Sequence, residues 1–216
     1  MRTLVIGASR GIGAELARRT IASGHVVDAT ARSGDAPSGA RTVHCDVTDQ
    51  ASVARAAVEV EGPIGLLIQN AGINPPSGQS FGSADPAAWA HMFDVNVLGP
   101  LRVAEAFRSH LREGSVAAFV SSQLGSMSLG GGVGYPAYNA SKAALNKMCQ
   151  DLAAAWKPAG ITVLALHPGW VRTDMGGPNA SISADESARG ILDVVTSKGI
   201  ADTGTFWNWN GTPHAW

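Results

Sequence analysis

Short runs of aliphatic and β-branched residues alternate along the chain with longer stretches in which apolar residues recur every three or four positions. The short runs predict strands at residues 3–7, 25–31, 41–47, 64–72, 115–122, 160–169 and 204–211. The longer stretches predict helices at residues 12–23, 49–62, 86–111, 137–156 and 184–197. Strands that alternate with helices of this length are typical of βαβ units. The pattern therefore predicts a single doubly wound α/β domain over residues 1–216, with helices on both faces of a mostly or wholly parallel sheet of about seven strands.

The composition is that of an ordinary globular chain. It has 216 residues, 45% of them hydrophobic and 15% charged, which suits one domain with a sizeable core. The formal net charge is −1, so the chain has no broad basic field to attract nucleic acid or an anionic membrane. We therefore expect a small-molecule partner and no nucleic-acid or membrane partner.

Three features predict a soluble, cytoplasmic protein. No apolar run approaches the roughly 20 residues that a membrane-spanning helix needs. The first residues, MRTLVIGASRG, reach a glycine-rich turn too early for a signal peptide. The two cysteines, Cys45 and Cys149, have no metal-ligand spacing and are expected to be reduced thiols rather than a disulfide. No metal site is predicted.

The first predicted strand leads directly into a glycine-rich turn, GASRGIG at residues 7–13. Gly7, Gly11 and Gly13 permit a sharp backbone turn and a close approach to a ligand. The helix that follows presents free N–H groups and the positive end of its dipole at the same place. A glycine-rich turn between a first strand and a first helix predicts a phosphate-binding cradle.

With this turn, the chain resembles the short-chain dehydrogenases/reductases over nearly its whole length. Six further segments resemble motifs of that family in the family's order: CDVTD at 45–49, QNAG at 69–72, VNVLG at 95–99, SS at 121–122, YNASK at 138–142 and HPGWVRT at 167–173. Because so many motifs occur in the right order, the resemblance is specific. It implies a Rossmann-type NAD(P)-binding domain.

The resemblance also implies which residues bind the cofactor. They are Gly7, Ser9, Arg10, Gly11, Ile12, Gly13, Arg32, Ser33, Asp46, Val47, Asn70, Ala71, Gly72, Pro168, Gly169, Val171 and Thr173. In this family an acidic residue at the end of the second strand selects NAD(H), but this chain has Ala31 there, followed by Arg32. Arg32 can bind a 2′-phosphate through charge-assisted hydrogen bonds, with Ser33 beside it and Arg10 on the same side. The predicted cofactor is NADP(H).

Both tyrosines of the chain lie beside one lysine, in YPAYNASK at residues 135–142. Tyr138 and Lys142 are four residues apart and share one face of a helix, whereas Tyr135 is seven residues from Lys142. Pro136 is typical of a helix start, which places Tyr135 outside the helix. We therefore expect Tyr138 to be the acid/base residue. The Lys142 ammonium is expected to lower the pKa of its phenol from an ordinary value of about 10.

The same resemblance implies two further catalytic residues. Ser122 is expected to bind the substrate oxygen. Ser121 is the alternative, but adjacent residues on a strand point to opposite faces, so only one of the two serines can face the substrate. Asn96 is expected on the long helix 86–111, where it helps to hold a water relay behind Lys142. Ser122 and Tyr138 are 16 positions apart, which is longer than is usual in the family. This longer loop resembles the C-factor-like and sniffer-like carbonyl reductases.

We expect an NADP(H)-dependent carbonyl reductase or alcohol dehydrogenase with a carbonyl or secondary alcohol substrate. Tyr135 and Trp170 are expected to bind that substrate, and residues 125–134 to form a mobile loop over it. Two alternatives stay open. Tyr135 and Lys142 have the spacing of the enoyl reductases of the same family, and a nucleotide-binding signalling protein with little turnover would share the fold. Ala-rich helix faces predict a homodimer or homotetramer.

Two aromatic features are expected to be structural. His167 precedes Pro168 and is expected to be a core or strand-end histidine rather than a catalytic one. Trp207, Trp209 and Trp216 cluster near residue 216, where they are expected to pack the last strand or a subunit contact.

Overall fold

A sheet of seven parallel strands forms the centre of the computed structural model, which describes residues 1–75, 79–129 and 134–216. The strands of the chain are β1 (Arg2–Ile6), β2 (Val26–Ala31), β3 (Arg41–His44), β4 (Ile64–Gln69), β5 (Leu111–Val120), β6 (Thr162–His167), β7 (Val171–Arg172), β8 (Ile182–Ser183) and β9 (Thr205–Asn208). The seven lie in the order β3-β2-β1-β4-β5-β6-β9, and every pairing between neighbours is parallel. β7 and β8 pair separately. The predicted Rossmann-type α/β fold is confirmed.

Helices cover both faces of this sheet. They are α1 (Gly11–Ala22), α2 (Gln50–Glu59), α3 (Pro86–Phe93), α4 (Gly99–Phe107), α5 (Pro136–Trp156) and α6 (Ala184–Ser197). Helices α1 and α6 pack together, and α2 packs on α4. Among the residues that the structure describes, no helix is long and apolar enough to cross a membrane.

Side-chain alternation along β1 divides the core into two apolar clusters. Leu4 packs in one cluster with Phe107 of α4, so this cluster fills the face covered by α2, α4 and α5. Val5 points the other way and packs with Leu16 of α1 and Ile191 of α6. Both faces of each central strand are therefore buried, which explains why these strands are continuously apolar in the sequence.

The predicted continuous helix over residues 86–111 is wrong. The segment is divided by a π-helical turn at Asp94–Leu98, and α4 ends at Phe107. Proline is the physical reason for the irregularity, because Pro100 has no N–H to donate to the main-chain carbonyl of Asn96. After a short 3₁₀ turn, Leu111 already belongs to β5, four residues before the predicted start of that strand.

The strand order reverses between β1 and β4, because β2 and β3 follow on one side and β5, β6 and β9 on the other. In an open parallel sheet, ligands bind outside the carboxyl ends of the strands at such a switch point. The fold therefore places the ligand crevice where the glycine turn after β1 meets the loop after β4.

Candidate active site

The glycine turn between β1 and α1 is built from backbone contacts that exclude larger side chains. Gly7 has a φ of +81°, and a Cβ on it would lie 2.8 Å from the Cα of Ala71. A Cβ on Gly13 would lie 2.1 Å from the carbonyl oxygen of Gly7. The Nδ2 of Asn70 donates a hydrogen bond to that same oxygen at 2.8 Å. The glycine turn and the Asn-Ala-Gly segment after β4 thus form one continuous floor.

This floor lies in a cleft of about 500 Å³. Most of the predicted cofactor-binding residues line it: Gly7, Ser9, Arg10, Gly11, Ile12, Arg32, Asp46, Val47, Asn70, Ala71, Gly72, Pro168 and Thr173. Tyr138 and Lys142 line the same cleft. The other predicted members are not among its described lining residues: Gly13, Ser33, Gly169 and Val171. In the described part of the chain, no group of three or more His, Cys, Asp or Glu side chains is placed to hold a metal ion.

Three arginines line the cleft: Arg10, Arg32 and Arg172. Arg10 Nη1 lies 2.7 Å from Asp174 Oδ2, and both side chains are largely exposed. Ion pairs in this setting are weak, so Arg10 can exchange Asp174 for an anionic ligand. Hydrogen bonds from Thr48 lower the pKa of Asp46, and the positive charge of Arg32 acts in the same direction. Arg32 therefore lies close enough to the Asp46 carboxylate to act on it electrostatically.

Tyr138 and Lys142 lie one turn apart on α5, as their spacing predicts, and both are buried. The Nζ of Lys142 lies 5.7 Å from the centroid of the Tyr138 ring. Instead of reaching the phenol oxygen, the ammonium donates a hydrogen bond to the carbonyl oxygen of Val120 at 2.9 Å. Lys142 therefore joins α5 to the end of β5.

Burial controls the titration of this pair. It raises the pKa of Tyr138 to about 12, although a hydrogen bond with the Ser122 side chain acts in the opposite direction. Burial also lowers the pKa of Lys142 to about 8. The expectation that Lys142 lowers the pKa of Tyr138 is wrong for this structure, because desolvation of the phenol outweighs an ammonium that faces the ring and a carbonyl. At neutral pH the pair is a protonated phenol beside an ammonium.

The two serines after β5 have different partners. Ser122 Oγ accepts the N–H of Leu124 at 3.1 Å, and its side chain acts on the Tyr138 phenol in the direction that lowers the pKa of that phenol. Ser121 lines the cleft, but its Oγ donates to Oδ1 of Asn146 at 2.5 Å. Of the two candidates, Ser122 is the one that the structure brings to Tyr138.

Asn96 is fully buried in the π-helical turn, and its side chain is held on both sides. Its Oδ1 accepts the N–H of Ile73, and its Nδ2 donates to the carbonyl oxygen of Ile73 and to Ser141 Oγ, at 2.9 to 3.0 Å. A Cβ on Gly72 would lie 3.3 Å from Asn96 Oδ1 and 3.5 Å from Lys142 Nζ. Asn96 and Lys142 thus approach Gly72 together, which places Asn96 beside the lysine as predicted but not on a regular helix.

The two predicted substrate-binding residues are exposed rather than part of the cleft lining. Tyr135 precedes α5 and is 42% exposed. Trp170 is 55% exposed, and its Nε1 donates to the carbonyl oxygen of Gly176 at 2.9 Å. Both residues follow carboxyl ends of strands and lie at the same edge of the sheet as Tyr138.

The predicted mobile loop over residues 125–134 is packed in its first part. A Cβ on Gly125 would lie 2.6 Å from the main-chain carbon of Lys142, so this residue is wedged against α5. The N–H of Ser128 donates to the carbonyl oxygen of Trp216 at 2.8 Å. Residues 130–133 of the predicted loop lie outside the described residues.

Sequence reasoning missed two polar residues that hold α5. Gln79 Oε1 accepts the N–H of Tyr138 at 3.1 Å, across 59 positions of sequence, and no local motif signals such a contact. Asn146 Nδ2 donates to the carbonyl oxygen of Gly125 at 3.2 Å. Asn146 lies one turn after Lys142, so its position on the catalytic face could have been read from the four-residue spacing.

A parallel sheet with a glycine cradle at its switch point defines a Rossmann-type nucleotide-binding protein. The family model of the short chain dehydrogenases matches residues 2–183, and the chain belongs to this family.

Relatives and solved structures place the chain in one branch of the family. C-signal of Myxococcus xanthus is 41% identical over 159 residues, which cover 72% of this chain and 94% of that protein. The NADPH-bound carbonyl reductase from chicken fatty liver is 30% identical, with a TM-score of 0.90 over 100% of this chain and 98% of that one. The carbonyl reductase Sniffer of D. melanogaster is 25% identical, with a TM-score of 0.93 over 100% and 99%. The predicted resemblance to the C-factor-like and sniffer-like branch is confirmed.

The lowered pKa of Lys142 predicts a pH-dependent stability. Between about 8 and 10.5 the unfolded chain binds more protons at this lysine than the folded chain does. Through Lys142 alone, the free energy of unfolding should therefore rise with pH in this window, by about 2 kcal/mol between about pH 7.5 and 9.5. The buried thiols of Cys45 and Cys149, whose pKa values burial raises, act in the opposite direction in the wild type and in its variants alike. Urea denaturation at both pH values should therefore show a change in unfolding free energy that is about 2 kcal/mol more favourable in the wild type than in Lys142→Met. The exposed Lys147 on the same helix provides the control, since Lys147→Met should keep the gain. Equal slopes in the wild type and Lys142→Met would contradict the prediction.

Proposed function

We propose that this chain is an NADP(H)-dependent carbonyl reductase that acts as a single NAD(P)-binding domain over residues 1–216. The observation that supports the proposal is that Tyr138 and the buried ammonium of Lys142 line the same cleft as the glycine cradle, with the Ser122 side chain acting on the Tyr138 phenol. Carbonyl reduction requires a hydride donor and a positioned proton donor around one carbonyl group. This cleft supplies a place for both.

The residues present fit a bound dinucleotide. The first turn of α1 has no side-chain cap, so its N–H groups are available to a pyrophosphate above Gly11. The glycine cradle, in which a Cβ on Gly7 or Gly13 would collide, allows the close approach that such a group needs. Bound NADPH supplies the hydride.

The chain's own side chains handle the proton. The Tyr138 phenol donates its proton to the carbonyl oxygen, and its raised pKa keeps it protonated until that oxygen gains charge. Ser122 Oγ already accepts the N–H of Leu124, which leaves its own hydrogen for the substrate oxygen. The Lys142 ammonium stabilises the phenolate that remains. Asn96, beside Lys142 at Gly72, would help to hold a water relay behind the lysine.

The exposed surface around the site indicates an uncharged, apolar carbonyl substrate. The loops after β4, β5 and β6, and the residue before α5, expose large apolar side chains: Phe81, Met127, Leu129, Tyr135, Trp170 and Met175. Residues 71–84 and 114–141 contain no Asp, Glu, Lys or Arg. A charged substrate would find no ionic partner in these segments, and desolvating its charge against apolar side chains would be costly. We place Tyr135 and Trp170 in this substrate surface.

One specific observation favours a second function. The similarity to C-signal supports a nucleotide-binding signalling protein with little turnover. The enoyl reductase alternative has less support, because Tyr135 lies outside α5 and is partly exposed. Turnover with a ketone distinguishes the proposed function from both.

Two properties beyond the reaction belong to the same proposal. Leu98 and Leu101 are exposed at the start of α4, and burial of these side chains in a homodimer or homotetramer would stabilise the assembly. Both cysteines are free, which supports a cytoplasmic location.

The proposed function is tested by NADPH oxidation with three forms of one ketone: ethyl acetoacetate, acetoacetate and acetoacetyl-coenzyme A. We expect the neutral ester to be reduced with a kcat/KM at least about 10-fold above both anions, because residues 71–84 and 114–141 contain no Lys or Arg. A wider panel of ketones, aldehydes and enones controls for shape. Preference for either anion would refute the apolar substrate. Turnover of enones alone would favour the enoyl reductase, and no turnover with any carbonyl would favour the signalling protein.

Removing the Tyr138 hydroxyl should abolish most activity. Tyr138→Phe keeps the ring and its packing but loses the proton donor, so kcat should fall about 10²–10⁴-fold. Tyr135→Phe is the matched control, because these are the two tyrosines of the chain, and it should keep most of the activity. Steady-state kinetics with NADPH and the best ketone gives both values. Comparable losses in the two variants would undo the assignment.

Arg32 should determine the preference for NADPH. Loss of one charge-assisted contact to the 2′-phosphate should lower kcat/KM for NADPH about 10- to 150-fold in Arg32→Ala and leave the value for NADH nearly unchanged. Arg18→Ala removes an arginine on α1 whose partner is Glu15 rather than a cleft residue, and it should change neither value. A wild type that prefers NADH, or an unchanged ratio in Arg32→Ala, would show that Arg32 does not select the cofactor.

A further inference from the structure

The direction of the Ser122 hydroxyl depends on how the chain is held just beyond β5. The last ladder contact is the N–H of Ser121, which donates to the carbonyl oxygen of Leu166 at 2.7 Å. Ser122 then caps a short 3₁₀ helix over Gln123–Gly125. The N–H of Gln123 comes one step beyond the ladder, and its hydrogen bond is partly buried although the residue itself is exposed.

The ring of His167 supplies the acceptor of that hydrogen bond. His167 is the last residue of β6, the strand beside β5, and its Nδ1 accepts the N–H of Gln123 at 3.2 Å. The His167 side chain thus continues the hydrogen-bond ladder at the point where the backbones of β5 and β6 separate. The peptide that it holds is the one that follows Ser122 directly.

The His167 ring is itself fixed by the segment after β9. The N–H of Trp209 donates to the carbonyl oxygen of His167 at 2.8 Å. The edge of the His214 ring contacts His167 at a centroid distance of 5.7 Å. His214 in turn packs on Phe206 at 4.3 Å. This arrangement explains why the chain folds back after β9, and it leaves the His167 ring little freedom to turn away from Gln123.

The contact requires one protonation state. Because Gln123 donates, Nδ1 of His167 must carry a lone pair, and the ring proton must lie on Nε2. Burial lowers the pKa of His167 to about 4, and the neighbouring His214 acts in the same direction. Within the described residues, His214 is the titratable group that faces this ring. The acceptor state is therefore kept throughout the neutral range.

Resting on the proposed reductase function, we propose that His167 is a positioning residue for Ser122: its Nδ1 holds the N–H of Gln123 and thereby fixes the Ser122 hydroxyl beside Tyr138. This role goes beyond the structural packing that the sequence predicts for a strand-end histidine. It also gives the segment after β9 a function in catalysis, because that segment holds the ring.

The test compares His167→Leu with His167→Asn. The leucine variant fills much of the space but removes the acceptor, so kcat should fall about 10-fold while the NADPH dissociation constant, measured by fluorescence titration, changes less than about 2-fold. In the asparagine variant Oδ1 can stand where Nδ1 was, and kcat should stay within about 3-fold of the wild type. A wild-type kcat in His167→Leu, or an equal loss in both variants, would overturn the proposal.

A double-mutant cycle shows whether His167 acts through Ser122. In a Ser122→Ala background the further change His167→Leu should lower kcat less than about 2-fold, because the hydroxyl that it positions is already gone. Fully multiplicative losses would show that His167 acts elsewhere and would overturn the proposal.

One measurement on the wild type is independent of both turnover and the folding of variants. Nitrogen-15 NMR of the His167 ring should show a proton on Nε2 and a bare Nδ1 at neutral pH. A proton on Nδ1 would overturn the proposal. Failure of the reductase function is distinguishable, because it would appear as absent turnover with every carbonyl while the ring nitrogens keep the predicted state.

Discussion

The burial of an ammonium group is the constraint on which this site depends. Lys142 is 4% exposed, and loss of water lowers its pKa to about 8. A buried charge is tolerated only where hydrogen bonds and favourable fields replace the lost water. The carbonyl oxygen of Val120 supplies one hydrogen bond, and the face of the Tyr138 ring supplies an attractive quadrupole. Helix α5 must therefore pack closely on the carboxyl ends of the central strands. This close packing limits the size of the side chains that neighbouring positions can accept. Glycine is required at residue 125, where a Cβ would strike the main chain of Lys142, and little space remains at Gly72, where one would contact Nζ.

The fold could be predicted from the sequence because its signals are local. Each strand of the sheet is a short apolar run, and the glycine turn marks the junction of β1 and α1. The pairing of Tyr138 with Lys142 was equally predictable, since a four-residue spacing fixes their relation on any helix. The division of the helix that begins at Pro86 could not be predicted, although the sequence contains Pro100. A proline near the centre of a predicted helix can produce a kink, a new helix start or a π-turn. In this structure the segment forms a π-turn, in which the Asn96 side chain binds the backbone of Ile73.

The contacts that hold the site together lie outside local patterns. Gln79 caps the N-terminal turn of α5 from a loop far earlier in the chain, and His167 binds the peptide after Ser122 from a neighbouring strand. Each is a side chain that satisfies a main-chain N–H, and such a contact needs one acceptor at one point in space rather than a repeated pattern. From the sequence alone, polar residues of this kind are interpreted as surface or packing residues, because their partners lie far away in the sequence and meet them only in the folded chain. The start of the glycine-rich loop, predicted to be mobile and instead packed on α5, was misread for the same reason.

The pKa of Tyr138 is raised, whereas the sequence predicts that Lys142 lowers it. This difference clarifies how Tyr138 and Lys142 can work together. With the pKa of the phenol at about 12, forming a phenolate at neutral pH costs about 3 kcal/mol more than it would in water. A buried tyrosine of this kind is protonated at neutral pH and is therefore a proton donor rather than a resting base. The Lys142 ammonium finds little negative charge to stabilise while the phenol is protonated. Its attraction develops only as the proton leaves, and an interaction that grows along the reaction coordinate lowers the barrier rather than the energy of the ground state. The desolvation that makes Lys142 costly to bury is then the same condition that strengthens its effect on the phenolate.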